Sequence, residues 1–161
     1  MTDTLLSLAQ LAVAITGFAS IVLIFQRRES GRWAREGANA FNGMLFHSMA
    51  ALVSCLVPVG LEAFGVAPDA LWRSVSGMLG VVTVVHAPLV GFVLLKDRPL
   101  FERAFVLGVE LPAAALLLAT ALGAFAGFAA GVFVAAVCVQ ILQATVLFFT
   151  LSFVRRDQIE D

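Results

Sequence analysis

The stretch LLSLAQLAVAITGFASIVLIF, residues 5–25, carries no charged side chain, and the next stretch, QRRESGRWAREGAN at residues 26–39, carries four arginines. A helix needs about 20 mostly apolar residues to cross the roughly 30 Å of hydrocarbon in a membrane. Loops rich in Lys and Arg stay on the cytoplasmic side. The two stretches together therefore predict a membrane-spanning helix followed by a cytoplasmic loop.

The composition of the whole chain agrees with this prediction. Of its 161 residues, 61% are hydrophobic and the mean hydropathy is +1.00, whereas roughly half of the residues of a soluble domain are apolar. We therefore expect an integral membrane protein that contacts lipids and binds no nucleic acid. Nine arginines, a single lysine and no tyrosine are typical of a GC-rich bacterial genome, so the expected location is a bacterial inner membrane.

Four more segments are long and apolar enough to span the membrane, namely residues 41–61, 74–95, 104–123 and 128–154. With residues 5–25 they predict an all-α fold of five transmembrane helices in a single domain, residues 1–161. The apolar run that starts at residue 104 is too long for one crossing. We place its turn at Gly123 to Gly127, because glycine tolerates the backbone conformations of tight turns. The alternative is four spans with one long tilted or re-entrant segment.

The distribution of positive charge predicts the orientation of the spans. Nine of the ten Lys and Arg residues fall in residues 27–35, 96–103 and 155–156, and the exception is Arg73. With these stretches in the cytoplasm, the N-terminus lies outside and the C-terminus inside. The residues predicted to lie at the lipid interface are Arg27, Arg28, Arg32, Trp33, Arg35 and Trp72. A docking site for a cytoplasmic partner is the alternative function of the first basic loop.

Three ionisable side chains fall inside the predicted spans, where they are costly and are commonly functional. His47, His86 and Glu110 lie on three different spans, about 9 to 14 Å from the cytoplasmic ends of those spans at helical rise. If the spans face a common interior, the three side chains share one layer. Proline follows two residues after His86 and after Glu110, at Pro88 and Pro112, and each removes a helical hydrogen bond.

This layer is compatible with four kinds of site. Two imidazoles and a carboxylate are a ligand set for zinc or non-haem iron, although these three do not form a local metal-binding motif. His47 and His86 also suit a bis-histidine haem, but the chain lacks the CxxCH motif of haem attachment. The same groups suit a proton or ion path. Ordinary hydrogen bonding between helices is the remaining alternative.

Two further sets of residues predict helix contacts inside the membrane. In the fifth span Gln140, Gln143 and Thr150 form one polar stripe, which must face protein or a pore because amides are costly in lipid. In the third span a stripe of small residues allows close helix approach, and its members are Ser76, Gly80, Thr83, Ala87 and Gly91. Cys55 and Cys138 lie within spans, so we expect small core residues and no disulfide.

These features favour a small membrane protein that conducts ions or protons. The predicted path is formed by His47, His86, Glu110, Gln140 and Gln143. A chain this short encloses little interior, so we expect a homo-oligomer. The alternatives are a membrane-embedded metal- or haem-binding redox or sensor protein, with His47, His86 and Glu110 as metal ligands, and a non-catalytic accessory subunit or scaffold. No catalytic residue is predicted, and an enzymatic function is not favoured.

Overall fold

The computed structural model of the chain describes residues 1–30, 35–89 and 100–153, which are almost entirely helical. No β-strand occurs among these residues. In chain order the long helices are α1 (Thr2–Ser30), α2 (Arg35–Ala63), α3 (Pro68–Pro88), α4 (Leu100–Ala121) and α5 (Ala129–Phe153), with a 3-10 turn at Ala126–Phe128. The predicted all-α fold is confirmed.

Length and composition make four of these helices able to cross a membrane. Their apolar segments are Thr2–Val22, Phe41–Ala63, Pro68–Pro88 and Ala126–Phe149. Helix α4 has 22 residues, and its described apolar part is Leu107–Ala121. This part is shorter than the roughly 20 apolar residues that a full crossing needs, so a fifth span at α4 stays a prediction. The chain is therefore a multi-pass membrane protein by the criteria of helix length and apolarity.

The long apolar run turns at the predicted glycine. Gly123 ends α4 with a positive φ of 93°, its N–H donates to the Thr120 carbonyl, and the N–H of Ala124 donates to the Ala119 carbonyl, both at 2.9 Å. This paired arrangement is the Schellman motif, which needs a left-handed residue that glycine adopts without strain. The run forms two helices, so the predicted turn is confirmed and the alternative of one long segment is wrong.

A second glycine ends α2 in the same way. Gly65 has φ 77°, and the N–H of Val66 donates to the Leu61 carbonyl at 3.2 Å. Pro68 then lies in the first turn of α3, where its fixed φ suits a helix and its missing N–H costs nothing. Helix α3 therefore begins before residue 74, the predicted start of the third span.

Contacts divide the chain into two compact units. Unit 1 comprises Met1–Leu56 and Gln140–Asp161, and unit 2 comprises Val57–Val139. Unit 1 thus contains α1, most of α2 and the C-terminal part of α5, whereas unit 2 contains α3 and α4 with the adjoining ends of α2 and α5. The single domain expected for residues 1–161 stays a prediction.

Small residues allow close packing of helices in unit 1. Ala19 of α1, Met44 of α2 and Ala144 of α5 are buried in one cluster. Gly43 of α2 lies so near α5 that an added Cβ would be 3.1 Å from Leu147 Cδ1. Because α2 and α5 approach through these positions, polar side chains one turn further along each helix are also brought face to face.

In unit 2 the small residues of α3 pack against α4. A Cβ added at Gly77 would lie 3.2 Å from the Cβ of Ala121, and one added at Gly80 would lie 3.0 Å from Cγ and Cδ2 of Leu118. The predicted helix contact is therefore confirmed for the described members of the stripe, which are buried: Ser76, Gly80, Thr83 and Ala87. Gly91 lies outside the described residues. The two contacts run in opposite chain directions, so α3 and α4 are antiparallel.

Arg73, the basic residue outside the three basic stretches, belongs to α3, and its side chain reaches the C-terminal end of α4. Its Nε donates a 3.1 Å hydrogen bond to the Ala121 carbonyl, and its Nη1 lies 3.7 Å from a carboxylate oxygen of Asp69. A cation near the last carbonyls of a helix is stabilised by the negative end of the helix dipole. This local contact accounts for a basic residue outside the three basic stretches.

The predicted interface residues are described only in part. Trp72 is half-buried, and its ring lies 5.8 Å from that of Phe133, measured between centroids. Arg32 and Trp33 lie outside the described residues, as do the side chains of Arg27, Arg28 and Arg35. Their place at the lipid interface stays a prediction.

The two cysteines differ in burial. Cys55 is buried, as expected of a small core residue, whereas Cys138 is exposed, so the core prediction is wrong for Cys138. Cys138 precedes the buried Gln140 by two residues, and two residues turn a helix by about 200°. The thiol therefore lies on the opposite face from the polar stripe of α5.

The orientation of the chain is tested by labelling single cysteines with a membrane-impermeant thiol reagent in intact cells, after Cys55 and Cys138 have been replaced. Cysteines at Asp3 and at Ala67, in the turn before α3, are expected to react because the charge pattern places both outside. Cysteines at Gly31 and Asp157 are expected to react only after the cells are lysed. Labelling of Asp3 and Asp157 from the same side would contradict the five-span topology.

Candidate functional site

A buried histidine and a buried carboxylate lie side by side in unit 2. His86 Nδ1 of α3 is 3.6 Å from Glu110 Oε2 of α4. The Glu110 side chain is completely buried, and 10% of the His86 side chain is exposed. Both residues are potential metal ligands. The described part of unit 2 thus contains a two-residue ionisable site within helices that are otherwise apolar.

The register of α3 against α4 explains why these two residues meet. Gly80 packs against Leu118, and His86 follows Gly80 by six residues, while Glu110 precedes Leu118 by eight. In an antiparallel pair, about two turns along each helix bring the next side chains face to face. The close approach permitted by glycine therefore places the imidazole beside the carboxylate.

A proline follows each member of the pair by two residues in the sequence. Pro112 is inside α4 and does not end the helix. Since proline has no N–H, it donates nothing to the carbonyl of Gly108, four residues earlier. Gly108 is exposed and has no side chain to cover that oxygen. Two residues turn a helix by about 200°, so this oxygen lies on the exposed face of α4, away from the buried Glu110.

The separation of the pair limits its chemistry. Hydrogen bonds from nitrogen to oxygen are about 2.7 to 3.2 Å long, so the 3.6 Å between His86 Nδ1 and Glu110 Oε2 is longer than a direct hydrogen bond. The distance does suit a charge pair or two ligands of one cation. The completely buried side chain of Glu110 offers two carboxyl oxygens, the kind of ligand atom that cations bind in proteins.

A second polar contact lies in unit 1, between α2 and α5. His47 Nδ1 is 2.6 Å from Gln140 Oε1, and both side chains are buried. An amide oxygen can only accept a hydrogen bond, so Nδ1 of the imidazole carries the proton and donates it. In the neutral ring, Nε2 then holds the lone pair. The contact therefore orients the imidazole of His47 and, with the amide oxygen as acceptor, favours the tautomer that is protonated at Nδ1.

Two neighbouring polar groups of unit 1 make no such contact. The side chains of Gln143 and Ser48 are both buried. The amide nitrogen and oxygen of Gln143 and the hydroxyl of Ser48 make no hydrogen bond to the described part of the chain. Buried polar groups nearly always have a hydrogen-bond partner, often water. Gln143 lies three residues from Gln140, on the same face of α5. Both glutamines are buried, so the described members of the polar stripe face protein, while the side chain of Thr150 lies outside the described residues.

Replacement by leucine is expected to change the stability of the protein differently at the two glutamines. Gln140→Leu removes the acceptor of the His47 Nδ1–H and should lower the free energy of unfolding by about 1 to 2 kcal/mol. Gln143→Leu removes an amide that makes no bond to the described residues, so it should leave stability unchanged or raise it. Thermal unfolding of both variants in detergent measures the difference. An equal loss in both would contradict the assignment of the hydrogen bond to Gln140.

The sequence predicted some of these contacts and missed others. The pairing of His86 with Glu110 follows the predicted depth of the two residues. The bond between His47 and Gln140 was not predicted. The signal for it was the amide of Gln140 itself, because an amide inside a membrane span needs a hydrogen-bond partner. The proposed layer of His47, His86 and Glu110, the metal set and the haem alternative draw on both compact units, and they stay predictions.

Comparison with known proteins assigns no family to the chain. No protein-family model matches it, and no curated protein or solved structure is similar to it. The functional argument therefore depends on the chemistry of the described site.

Proposed function

We propose that this multi-pass protein conducts a cation across the membrane and that His86 and Glu110 form the cation-binding step. The observation that carries the proposal is the buried pair, with His86 Nδ1 at 3.6 Å from Glu110 Oε2. Ionisable side chains within spanning helices are expensive, and they commonly mark ion pathways. A carboxylate with no exposed surface, beside an imidazole, is a suitable site for a dehydrated or partly dehydrated cation.

The two side chains of the pair differ in exposure. His86 keeps a small exposed fraction, 10% of its side chain, whereas Glu110 has none. In the proposed mechanism a cation contacts the imidazole first and the carboxylate second, because the imidazole is the more accessible of the two.

The polar residues of unit 1 enter the proposal as a second group. The sequence assigns His47, Gln140 and Gln143 to the path, and Gln143 has amide atoms that can bind water or an ion since they make no hydrogen bond to the described residues. Ser48 offers a hydroxyl of the same kind. A hydrated path requires such groups, because an ion loses its water only where protein atoms replace it.

The proposal includes a homo-oligomer in a bacterial inner membrane, as expected from the sequence. The small-residue stripe of α3 packs on α4 and the described amides of α5 are buried, so neither stripe is evidence for subunit contacts. What supports the oligomer is therefore the short chain, which encloses little interior for a path. Chemical cross-linking in membranes and the mass of the detergent-solubilised protein test this part of the proposal.

The transport proposal is tested with purified protein in liposomes of phosphatidylcholine and phosphatidylglycerol. The liposomes contain a pH-sensitive dye in one preparation and a dye for divalent metal ions in another. An inward gradient of protons or of Zn²⁺ is expected to produce faster entry of at least one cation than in protein-free liposomes. Entry at the protein-free rate for every cation tested, with folded protein present, would overturn the proposal.

A further inference from the structure

We infer that His86 and Glu110 bind a divalent transition-metal ion with the ligand preferences of Zn²⁺. The site uses Nδ1 of the imidazole and Oε2 of the carboxylate, the two atoms that face each other in unit 2. The inference deepens the proposed function because it names the class of cation. It rests on the proposed function only where it takes the metal ion to be the transported species. Binding itself is tested separately.

The first support is the distance between the two ligand atoms. Zinc lies about 2.0 to 2.2 Å from imidazole nitrogen and carboxylate oxygen. At a tetrahedral angle, two ligand atoms on one ion are therefore about 3.4 Å apart. The observed 3.6 Å between His86 Nδ1 and Glu110 Oε2 is close to this value. A hydrogen bond would hold the same atoms about 2.7 to 3.2 Å apart.

The second support is the chemistry of the donor set. One imidazole nitrogen with one carboxylate oxygen suits zinc and its neighbours among the transition metals. Calcium and magnesium prefer sites made of oxygen alone. Alkali cations are hard ions that prefer oxygen ligands, so they gain little from an imidazole nitrogen. The pair therefore favours a divalent transition metal over the common alkali and alkaline-earth cations.

The third support is the environment of the pair. The side chain of Glu110 is completely buried, and only 10% of the His86 side chain is exposed. Electrostatic attraction between a carboxylate and a divalent cation is much stronger in a low-dielectric interior than in water. A dedicated site is therefore expected here, since the surface carboxylates of α2 and α3, Glu62 and Asp69, are exposed and are screened by solvent.

Binding is measured on the full-length protein in detergent, with Co²⁺ as the spectroscopic probe and Zn²⁺ as the competitor. We expect a saturable Co²⁺ absorption spectrum at about one ion per chain, which Zn²⁺ abolishes. Glu110→Gln and His86→Gln are expected to weaken Zn²⁺ binding by more than the roughly 10- to 100-fold typical of a lost supporting residue. The matched control, Glu62→Gln, makes the same change at an exposed position and should leave binding unchanged.

A replacement by another zinc ligand guards against variants that simply misfold. His86→Cys supplies a thiolate, so it should retain binding and add a sulfur-to-cobalt charge-transfer band that the wild-type protein lacks. Co²⁺ binding that survives both glutamine variants, or that is absent from the folded wild-type protein, would overturn the inference.

The two proposals fail in distinguishable ways. Metal binding at His86 and Glu110 without entry of any cation into liposomes would support the metal site and overturn transport. Entry of protons that depends on Glu110, in a protein that binds neither Co²⁺ nor Zn²⁺, would support transport and overturn the metal site.

Discussion

Glu110→Gln is expected to abolish cation entry into liposomes while the yield of folded protein stays close to that of the wild type. Glutamine keeps the size and the hydrogen-bonding atoms of glutamate, but it carries no negative charge. Interactions with a charged group are worth up to about 3 kcal/mol, which corresponds to a loss of roughly 100-fold in cation occupancy. The carboxylate is fully buried, so solvent screening does not reduce this effect.

The matched control for this variant is Glu62→Gln, which changes an exposed carboxylate near the end of α2 and should conduct at the wild-type rate. Folding is compared by size-exclusion chromatography and by helical circular dichroism. Wild-type rates of cation entry in folded Glu110→Gln would show that the carboxylate has no part in conduction. Because an amide cannot carry a charge into the protein interior, the variant is also expected to unfold at the same temperature as the wild type or at a higher one.

Gly80→Val is expected to cause the largest loss of stability and to disrupt the His86–Glu110 pair at the same time. A Cβ at this position would lie 3.0 Å from two carbons of Leu118 and 3.2 Å from the Cβ of Leu117. Valine adds two methyl groups beyond that atom, so α3 and α4 must separate. Overpacking of this kind costs about 1 to 3 kcal/mol. Thermal unfolding and metal binding should both decline.

Two variants separate this packing effect from a general effect of valine in a helix. Gly131→Val is the control in α5, because an added Cβ there meets nothing within 4 Å. Combining Gly80→Val with Leu118→Ala removes the two Leu118 carbons nearest the added Cβ and leaves only the Leu117 Cβ, so it should restore part of the stability. Equal destabilisation by valine at residues 80 and 131, with no recovery in the double variant, would contradict close α3–α4 packing as the cause.

The sequence by itself determined the helical spans and the main break between them. Apolar length predicts helices because backbone groups in hydrocarbon must be hydrogen-bonded within the chain. Gly123 marks a turn because its left-handed backbone favours glycine, and the small-residue stripe with Gly80 predicts a helix contact because only small side chains permit close approach. The cost of polar groups in lipid likewise identified His86, Glu110 and Gln140 as side chains that need protein surroundings.

Only the tertiary structure decided which of these groups meet. Depth along a helix gives the height of His86 and Glu110, but their contact also requires the rotation of each helix and the register set where Gly80 packs on α4. The bond between His47 and Gln140 has the same origin, since it joins residues 93 positions apart in sequence. Periodicity reports the face of one helix, whereas a pair contact depends on two helices, and the packing between them fixes it.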